Sequence, residues 1–485
     1  MPERYENFIG GKWTPPDSGT YIPDLNPADT RDIVGEFPNS NSQDALNALD
    51  STRTAAPEWA ALAAPARGEY LRKAADILAA RADAVAADLM REEGKSLPEA
   101  KGETLRGVAL LRYYAAETWR PDGEVIPSAG AATWLMTKRV PLGVVSLITP
   151  WNFPIAIPLW KAAPALAFGN AVVMKPSEHA PKTAWHIAKV FEEAGLPAGV
   201  FNMVFGEGAR TGETLTANRR VNGVSFTGSV RTGRLIGQTA ARHGKKVQLE
   251  MGGKNAAVVL KDADLNQALA LTIQGAFKSA GEKCTATSRV IVAREIYQEF
   301  RQRLVQMTKA LTLGPGDFAD AYLGPVISSA ARENILTAVE AAKAEGAELL
   351  CGGKIPDGSL FENGFYIEPA IFDKVRINMT IAREEVFGPV LCLMEADGLE
   401  DAVYQLNETD YGLSASLFTR DLNAAMYFAE RAQAGMIRIN GETAGVEPQA
   451  PFGGMKNSSS YSREQGQAAR DFYTQIKTIS FDRGG

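Results

Sequence analysis

Val144-Val145-Ser146-Leu147-Ile148 is an apolar run of strand length, and Ala171-Val172-Val173-Met174 is the next such run along the chain. Phe201-Asn202-Met203-Val204 and Val224-Ser225-Phe226 continue the series, with helix-sized segments between the runs. Strands that alternate with helices at this spacing predict a parallel sheet whose two faces are covered. The central part of the chain is therefore predicted to form an open α/β lobe.

A second alternating series begins after Glu250 and predicts a second α/β lobe. Its strand candidates are Ala256-Ala257-Val258-Val259-Leu260, Val290-Ile291-Val292, Val390-Leu391-Cys392-Leu393 and Met436-Ile437-Arg438-Ile439. The 485 residues of the chain also exceed one ordinary domain, so two or three lobes are expected. The fold class is predicted to be α/β with two open parallel sheets in tandem.

The segment before these lobes, residues 43–119, has apolar residues near a helical period with charged residues between them. It is predicted to form helices from Asp44 onward, over the alanine-rich run from Tyr70 to Met90, and from Pro98 to Trp119. We interpret these helices as a scaffold without chemistry.

Composition and charge exclude several classes of function. The net charge is −6 with scattered basic residues, which argues against nucleic-acid binding. The first residues lack the layout of a secretory signal, and no apolar run approaches membrane-spanning length. Three distant cysteines and three histidines favour neither disulfides nor a metal site. We expect a cytoplasmic enzyme acting on a small diffusible substrate, with no metal and no membrane partner.

Cys284 is the candidate nucleophile, and Glu250 lies 34 positions (284 − 250) before it. A cysteine can attack a carbonyl as its thiolate, and a nearby carboxylate can take up the proton or activate a water. Cys351 and Cys392 lack comparable neighbours and are interpreted as small buried apolar residues. The pair of Cys284 and Glu250 predicts acyl-enzyme chemistry.

Seven short strings accompany this pair along the chain. They are Thr149-Pro150-Trp151-Asn152-Phe153-Pro154, Lys175-Pro176-Ser177-Glu178, Phe226-Thr227-Gly228-Ser229, Leu249-Glu250-Met251-Gly252-Gly253-Lys254, Gly281-Glu282-Lys283-Cys284-Thr285, Glu384-Glu385-Val386-Phe387-Gly388-Pro389 and Pro451-Phe452-Gly453-Gly454. In order and spacing they resemble the motifs of the NAD(P)-dependent aldehyde dehydrogenase superfamily, over about Tyr5 to about Thr478.

The resemblance implies two Rossmann-like lobes and a β-hairpin arm that serves oligomerisation. It assigns residues 1–121 and 142–250 to an NAD(P)-binding domain, 251–458 to a catalytic domain, and 122–141 with 459–485 to the arm. The run Trp134-Leu135-Met136-Thr137-Lys138-Arg139-Val140 is a strand candidate for that arm. An isolated hairpin needs a partner surface, so a homodimer or homotetramer is expected.

The cofactor is expected to lie beyond the carboxyl ends of the first lobe's strands, because ligands of open α/β sheets bind there. The helix start at Gly228-Ser229 suits a pyrophosphate. The resemblance implies that Lys175 bonds the adenosine ribose, that Glu178 accepts from the same ribose, and that Glu385 binds the nicotinamide ribose. The cofactor-binding set is Thr149, Pro150, Trp151, Lys175, Ser177, Glu178, Gly228, Ser229, Gly233, Gly252, Glu385 and Phe387. NAD or NADP is expected, and a carboxylate at Glu178 favours NAD over the extra phosphate of NADP.

The resemblance also implies the chemical roles. Cys284 attacks the aldehyde, the Asn152 amide and the Cys284 backbone N–H bind the oxyanion, Glu250 activates the hydrolytic water, and Glu464 lies near the water route. On the residues alone, Asn152 could be a turn residue, Glu250 a strand-end cap and Lys175 a solvated charge. The match to the family's motifs is what favours the functional roles.

Further strings, such as Pro451-Phe452-Gly453-Gly454-Met455-Lys456-Asn457-Ser458-Ser459-Ser460, are similar to the branch of α-ketoglutaric semialdehyde dehydrogenases. A substrate with a remote carboxylate needs a basic or amide anchor, for which Arg112, Arg289 and residues 440–449 are candidates.

Trp160 and Phe153 are the predicted substrate-pocket residues, and an aromatic wall favours a broad-specificity aliphatic or aromatic aldehyde dehydrogenase as the alternative. An acylating dehydrogenase or a non-catalytic binding protein is disfavoured by the presence of both Cys284 and Glu250.

Overall fold

Residues 2–483 are described by a computed structural model; Met1, Gly484 and Gly485, which fall within the domain ranges predicted above, lie outside the described residues. The chain begins with two antiparallel strand pairs and four helices. These elements are β1 (Asn7–Ile9), β2 (Lys12–Thr14), β3 (Tyr21–Leu25), β4 (Ile33–Pro38), α1 (Ser42–Ala61), α2 (Ala64–Ala80), α3 (Ala82–Glu93) and α4 (Leu97–Glu117).

The helical region was predicted correctly in kind, but the run from Tyr70 to Met90 contains two helices rather than one. Arg81, at φ −108° and ψ 7°, departs from helical geometry and separates α2 from α3. Helix α1 begins at Asn41, whose side chain accepts hydrogen bonds from the backbone N–H groups of Gln43 and Asp44 and so caps the helix.

The next part of the chain forms a hairpin and then the first lobe. Its elements are β5 (Val125–Ile126), β6 (Thr133–Pro141), β7 (Val144–Ile148), α5 (Ala156–Ala167), β8 (Ala171–Lys175), α6 (Pro181–Glu193), β9 (Phe201–Met203), α7 (Gly208–Ala217), β10 (Gly223–Thr227), α8 (Val230–Arg242) and β11 (Lys246–Glu250). The sheet has the order β11-β10-β7-β8-β9-β1-β2, parallel from β11 to β9, with β1 and β2 antiparallel at one edge. The four predicted strands are confirmed.

The remaining chain forms the second lobe and ends with a strand of a separate sheet. Its elements are β12 (Asn255–Val259), α9 (Leu265–Phe277), β13 (Thr287–Ala293), α10 (Tyr297–Lys309), α11 (Ser329–Ala344), β14 (Glu348–Cys351), β15 (Ala370–Asp373), α12 (Thr380–Arg383), β16 (Val390–Ala396), α13 (Leu399–Asn407), β17 (Tyr411–Gly412), β18 (Ser414–Phe418), α14 (Leu422–Arg431), β19 (Met436–Ile439), β20 (Met455–Lys456), α15 (Ala468–Tyr473) and β21 (Thr474–Asp482). The sheet order is β14-β15-β16-β13-β12-β18-β19, and all neighbours are parallel except β14 and β15.

A third, antiparallel sheet joins the hairpin to the end of the described chain in the order β21-β6-β5. Strands β6 and β21 pair from Thr133 opposite Asp482 to Pro141 opposite Thr474. The predicted strand from Trp134 to Val140 is therefore confirmed, and it lies in this sheet rather than in either lobe.

Two α/β lobes with predominantly parallel sheets confirm the predicted fold class. Helix α5 packs at the middle of the molecule, where all of its residues are buried. None of the helices within residues 2–483 is long and apolar enough to cross a membrane.

Candidate active site

Cys284 lies between α9 and β13, at the end of an irregular turn of the second lobe. Ser279, Ala280 and Gly281 have φ values of 54°, 50° and 71°, a left-handed backbone that only glycine adopts without strain. The Cys284 carbonyl accepts a 2.8 Å hydrogen bond from the Asn255 side chain, which fixes the segment against β12. Cys284 as a residue is partly exposed, so the turn places it at a cleft, although protein atoms enclose its thiol.

The environment of the thiol opposes its ionisation. Burial, followed by the negative charges of Glu385, Glu250 and Glu464, raises the pKa of Cys284 to about 12. The thiol is therefore protonated at neutral pH in the cofactor-free chain, and a base or a nearby positive charge must promote loss of its proton.

Asn152 follows β7 of the first lobe and contacts the cysteine segment of the second lobe. Its side-chain Nδ2 donates a 2.9 Å hydrogen bond to the carbonyl of Glu282, two residues before Cys284. An amide NH₂ carries two hydrogens, so one orients the group while the second stays available to an oxyanion. The structure thus brings Asn152 and Cys284 together across the two lobes.

Lys95 bonds the backbone of Asn152, although it lies in the helical region that was predicted to have no catalytic role. The buried Lys95 ammonium donates to the Asn152 carbonyl and pairs with Glu103 at 2.8 Å and Glu93 at 3.3 Å. Glu103 also accepts from the backbone N–H groups of Ile155 and Ala156 at 2.9 and 3.1 Å. This cluster fixes the start of α5 and hence the loop that carries Asn152.

Glu250 ends β11 and is almost fully buried. Its Oε2 accepts a 2.5 Å hydrogen bond from Ser459 Oγ, and its Oε1 has no hydrogen-bond partner among residues 2–483. A Cβ at Gly453 would lie 2.9 Å from Oε1, so the absence of a side chain there leaves space beside this buried oxygen. Burial and then the charge of Glu464 raise the pKa of Glu250 well above its usual value, which makes the ionised form a stronger base.

Glu464 lies next to Glu250 and is held by Lys161 of α5. The Lys161 ammonium and the Glu464 carboxylate form a buried ion pair, and Ser225 Oγ lies 3.2 Å from the same carboxylate oxygen. Lys161 was not predicted as a site residue, because its partner Glu464 is distant in the sequence and only the structure places the two together.

The three loops predicted to bind the cofactor do lie together at the carboxyl ends of β7, β8 and β10. The Thr149 N–H bonds the Lys175 carbonyl at 3.1 Å, which joins the first two loops. Thr149 Oγ1 and Thr227 Oγ1 are buried and without a partner in the described part of the chain. These unpartnered hydroxyls mark the edge as polar and open to a ligand. Pro150 and Trp151, next in the first loop, are partly exposed at the same edge.

Lys175 and Glu178 form an ion pair of 2.9 Å beside the buried Ser177. Burial opposes ionisation of Glu178, yet the charge of Lys175 and hydrogen bonding hold its pKa below the usual value. Glu178 is thus an anion at neutral pH. Lys175 is not the solvated charge that its type alone would suggest, because its side chain is only 4% exposed.

Gly228 and Ser229 precede helix α8, and Ser229 caps it by accepting from the Thr232 N–H at 3.3 Å. A Cβ at Gly233 would lie 2.5 Å from the sulfur of Met251, so only glycine lets α8 approach β11 this closely. The helix start is therefore held at the sheet edge beside the other two loops.

Glu385 and Phe387 reach the same cleft from the second lobe. Glu385 Oε1 accepts from the Gly253 N–H at 2.9 Å, and a Cβ at Gly252 would lie 2.0 Å from its Oε2. Burial raises the pKa of Glu385 to about 7. The Phe387 ring, on a residue with φ 56°, meets Trp151 edge to face with centroids 5.6 Å apart.

Trp160 is buried on α5 and packs against Phe452 with ring centroids 5.0 Å apart, while Phe153 lies under the Lys95 ammonium at 3.9 Å. Trp160 therefore contacts the segment around Phe452, whereas Phe153 lies beside the cation that bonds the Asn152 carbonyl.

Of the predicted carboxylate anchors, the two arginines have partners elsewhere, whereas the segment 440–449 contacts the cysteine segment. Arg289 is fully buried and donates to the carbonyls of Lys254, Gln405 and Leu406, and Arg112 is exposed beside Asp76 at 3.4 Å. Both guanidinium groups have structural partners. Within residues 440–449, Thr443 packs on the cysteine segment by donating to the Thr285 carbonyl at 2.7 Å.

Several known proteins resemble this chain in sequence or in structure. A 51% identical relative from Bacillus subtilis, an alpha-ketoglutaric semialdehyde dehydrogenase, aligns over 98% of this chain and 97% of its own. An alpha-ketoglutarate semialdehyde dehydrogenase of Haloferax volcanii is 41% identical over 99% of both chains. The crystal structure of betaine aldehyde dehydrogenase from Staphylococcus aureus in complex with NAD+ superposes with a TM-score of 0.97 at 33% identity, covering 99% of this chain and 95% of that one.

A sequence profile of the aldehyde dehydrogenase family matches residues 13–479. This match extends over nearly the whole chain, and a solved aldehyde dehydrogenase has the same fold. The chain therefore belongs to the aldehyde dehydrogenase family.

Proposed function

We propose that this chain oxidises α-ketoglutaric semialdehyde to 2-oxoglutarate with NAD as the hydride acceptor. The observation that carries the chemistry is the meeting of the Cys284 thiol, the Asn152 amide and the buried Glu250 in one cleft. The relatives from B. subtilis and H. volcanii support the substrate, since both are semialdehyde dehydrogenases by name.

Cys284 is the nucleophile in this proposal. After its thiol loses a proton, the sulfur attacks the aldehyde carbon and a carbon–sulfur bond forms while the carbonyl oxygen becomes an oxyanion. The free hydrogen of the Asn152 amide and the Cys284 backbone N–H donate to that oxygen. The bond from Asn152 to the Glu282 carbonyl holds the amide in place before the reaction begins.

NAD, when bound, supplies the acceptor for the hydride that leaves the same carbon, which leaves a thioester on Cys284. Glu250 then takes a proton from water through its unpartnered Oε1, and the resulting hydroxide attacks the thioester carbon. The carbon–sulfur bond breaks, the acid leaves and the thiol is restored. The balance is aldehyde, NAD⁺ and water giving acid, NADH and a proton.

The residues at the sheet edge fit a dinucleotide. Lys175 and Glu178 offer a donor and an acceptor to a ribose, the start of α8 offers backbone N–H groups to a pyrophosphate, and Glu385 offers an acceptor to the second ribose. The anionic Glu178 opposes a phosphate on the adenosine ribose, so NAD is favoured over NADP.

Glu464 is assigned a supporting role beside Glu250. Its negative charge raises the pKa of Glu250, and its own position is fixed by the ion pair with Lys161.

We also propose the division of the chain that the family implies, with residues 1–121 and 142–250 binding the cofactor, 251–458 carrying the nucleophile, and 122–141 with 459–485 forming the arm. The three sheets support this division. Ser459 and Glu464 extend the contribution of the last segment into the site itself, because they contact Glu250 and Lys161.

The arm is proposed to form a homodimer or homotetramer. Trp134 and Phe481 are paired across the third sheet and are 57% and 55% exposed, an apolar surface that a second copy of the chain would cover. Phe481→Lys is expected to lower the molar mass measured by light scattering after size exclusion. An unchanged mass would contradict the role of the arm.

A broad-specificity aldehyde dehydrogenase is the second candidate, and the packing of Trp160 on Phe452 favours it, because an aromatic wall suits apolar aldehydes. The two are separated by following NADH absorbance with α-ketoglutaric semialdehyde, succinic semialdehyde, a long aliphatic aldehyde and benzaldehyde, each with NAD and NADP. A lead of at least about tenfold in kcat/KM, roughly 1.4 kcal/mol, for the first substrate supports the narrow function. Faster oxidation of apolar aldehydes supports the second candidate, and full activity in Cys284→Ala would overturn both.

A further inference from the structure

The remote carboxylate of the proposed substrate requires a cationic or amide partner, since a buried carboxylate without a partner is strongly disfavoured. The two arginines suggested by sequence are occupied elsewhere, Arg289 by carbonyls and Arg112 by Asp76. The inference below rests on the proposed function and identifies a different pair of residues for this role.

Arg106 lies on α4, one turn after Glu103, and is half-buried. Its neighbour Gly107 lets α4 approach α5 closely, because a Cβ there would lie 2.6 Å from Ile155 and 2.8 Å from Leu159. Ile155 follows Asn152 by only three residues. Arg106 is therefore held beside the segment that carries the proposed oxyanion donor.

The Arg106 guanidinium has few hydrogen-bond and charge partners for a partly buried cation. Its single side-chain hydrogen bond runs from Nη2 to Gln465 Oε1 at 3.1 Å, and it forms no ion pair with a carboxylate of residues 2–483. A guanidinium has five N–H donors, and buried charges are normally paired. Burial lowers the pKa of Arg106, with Glu103 and then Glu447 opposing that shift.

Neither nearby carboxylate is placed to neutralise Arg106 directly. Glu103 is bonded by Lys95, Ile155 and Ala156, and the exposed Glu447 accepts from the Gln449 amide. Arg106 thus keeps unused donors although acidic residues lie in its surroundings.

Gln465 supplies the second half of the arrangement. It is fully buried, directly follows Glu464, and keeps a left-handed φ of 59°. Because Oε1 accepts from Arg106, the orientation of the amide is fixed and Nε2 must be the donor. That Nε2 is buried and has no hydrogen-bond partner in the described chain, the kind of unmet donor that a ligand satisfies.

We propose that Arg106 and Gln465 bind the carboxylate of the substrate that is remote from the reacting aldehyde. Their side chains meet end to end, so the free guanidinium N–H groups and the Gln465 NH₂ lie within reach of one carboxylate. Glu464 links this pair to the chemistry, because the residue before Gln465 in the chain lies beside Glu250. The pair selects aldehydes that carry a second, anionic end.

The test compares two aldehydes of similar length, α-ketoglutaric semialdehyde and uncharged pentanal, in wild type, Arg106→Met, Gln465→Leu and Arg112→Met. Arg112 lies on the same helix but is exposed, so its variant controls for loss of a positive charge. In Arg106→Met we expect kcat/KM for the semialdehyde to fall about 100-fold, mainly through KM, with pentanal changed by less than about threefold. Gln465→Leu is expected to show a loss of about tenfold of the same kind, and Arg112→Met no loss.

Inhibition by glutarate gives a second readout that does not require turnover of the charged substrate. With pentanal as the substrate, glutarate should compete in wild type and in Arg112→Met, and should lose affinity about 100-fold in Arg106→Met. Retained pentanal oxidation in that variant shows that it has folded, and Gln465→Leu carries the test if it has not.

The outcomes separate the two proposals. If wild type does not prefer the semialdehyde over pentanal, the proposed function fails. If wild type prefers the semialdehyde and both Arg106→Met and Gln465→Leu keep that preference, the function stands and the anchor proposed here is overturned. A selective loss for the charged aldehyde and for glutarate supports the anchor.

Discussion

Ser459 Oγ donates a 2.5 Å hydrogen bond to Oε2 of Glu250, while Oε1 of the same carboxylate has no partner among residues 2–483. The two oxygens of Glu250 thus differ, because one is restrained by a hydrogen bond and the other is buried with its lone pairs unused. The hydrogen bond also favours the ionised carboxylate, against the burial that raises its pKa. This asymmetry is what a general base needs, since its position is fixed and its lone pair is available.

Glu250→Gln is expected to lower kcat by about 10²- to 10⁴-fold, because the amide keeps the shape of the side chain but cannot accept a proton. The thioester should accumulate, so rapid mixing should show a burst of NADH followed by slow turnover. Ser459→Ala serves as the matched control, because it keeps the base and removes only the restraint. Turnover in Glu250→Gln equal to that of wild type would show that another group activates the water.

Asn152→Ala is expected to raise the barrier by about 2.7–4 kcal/mol, since it removes a donor to the oxyanion. The effect should appear in kcat, measured from NADH formation, with the affinity for NAD unchanged. A variant that loses less than about threefold in kcat, far below the loss of an oxyanion donor, would mean that Asn152 serves only to hold the cysteine segment.

Alkylation of Cys284 by iodoacetamide in the cofactor-free enzyme is expected to accelerate by about tenfold per pH unit between roughly pH 7 and 9, because the thiolate is the reactive form. The sign follows from a pKa of about 12, which leaves the thiol mostly protonated over this whole range. Mass spectrometry of the peptide that contains Cys284 gives the rate, and Cys284→Ala gives the background from Cys351 and Cys392. A plateau near neutral pH would contradict the raised pKa.

Affinity for NAD is expected to weaken as the pH falls through about 7, the value to which burial raises the pKa of Glu385. Below that pH the carboxyl carries a proton, loses its negative charge and is a poorer acceptor for a ribose hydroxyl. Between roughly pH 8 and 6 the dissociation constant should rise by about five- to tenfold, as fluorescence titration can measure.

The matched pair for that measurement is Glu385→Gln and Glu384→Gln. The first should flatten the pH dependence because the titrating group is gone. The second changes the exposed neighbour and should keep it. Parallel curves for Glu385→Gln and wild type would place the titration elsewhere.

Lys95→Met is expected to destabilise the fold by about 3–5 kcal/mol, because it leaves the buried carboxylates of Glu93 and Glu103 without their cation. The unfolding midpoint at a fixed scan rate should fall accordingly. Lys101→Met is the control on a nearby turn, since its ion pair with Asp83 is 51% and 84% exposed and should contribute at most about 1 kcal/mol. Equal midpoints for the two variants would mean that the cluster around Lys95 is not a structural requirement.

Periodicity and motifs predicted most of the architecture, because buried parallel strands are apolar along their whole length. The strand β18, Ser414–Phe418, was missed since two serines interrupt its apolar run. Cys284, Glu250 and Asn152 were singled out by motif, and the structure brings them close together, while their catalytic roles stay predictions.

The residues that the sequence did not reveal are those whose role depends on a distant partner. Arg106 and Gln465 are 359 positions apart in the chain. In the sequence Lys95 is an ordinary charged residue at a helix boundary, and only the structure shows its contacts with Asn152 and Glu103. Helical periodicity shows which face is buried, but it does not show which buried charge meets another. The helices before the first lobe were for this reason interpreted as scaffold, although they support the site directly.

The hydrogen bond from Asn152 to the Glu282 carbonyl crosses from the loop after β7 to the segment before β13. A separation of the two lobes would break this bond and carry the amide away from the thiol in the same movement. This contact between the lobes is therefore also the one that holds the proposed oxyanion donor beside the cysteine segment. In the proposed mechanism, attack on a carbonyl therefore requires both lobes to be in contact, although the thiol belongs to only one of them.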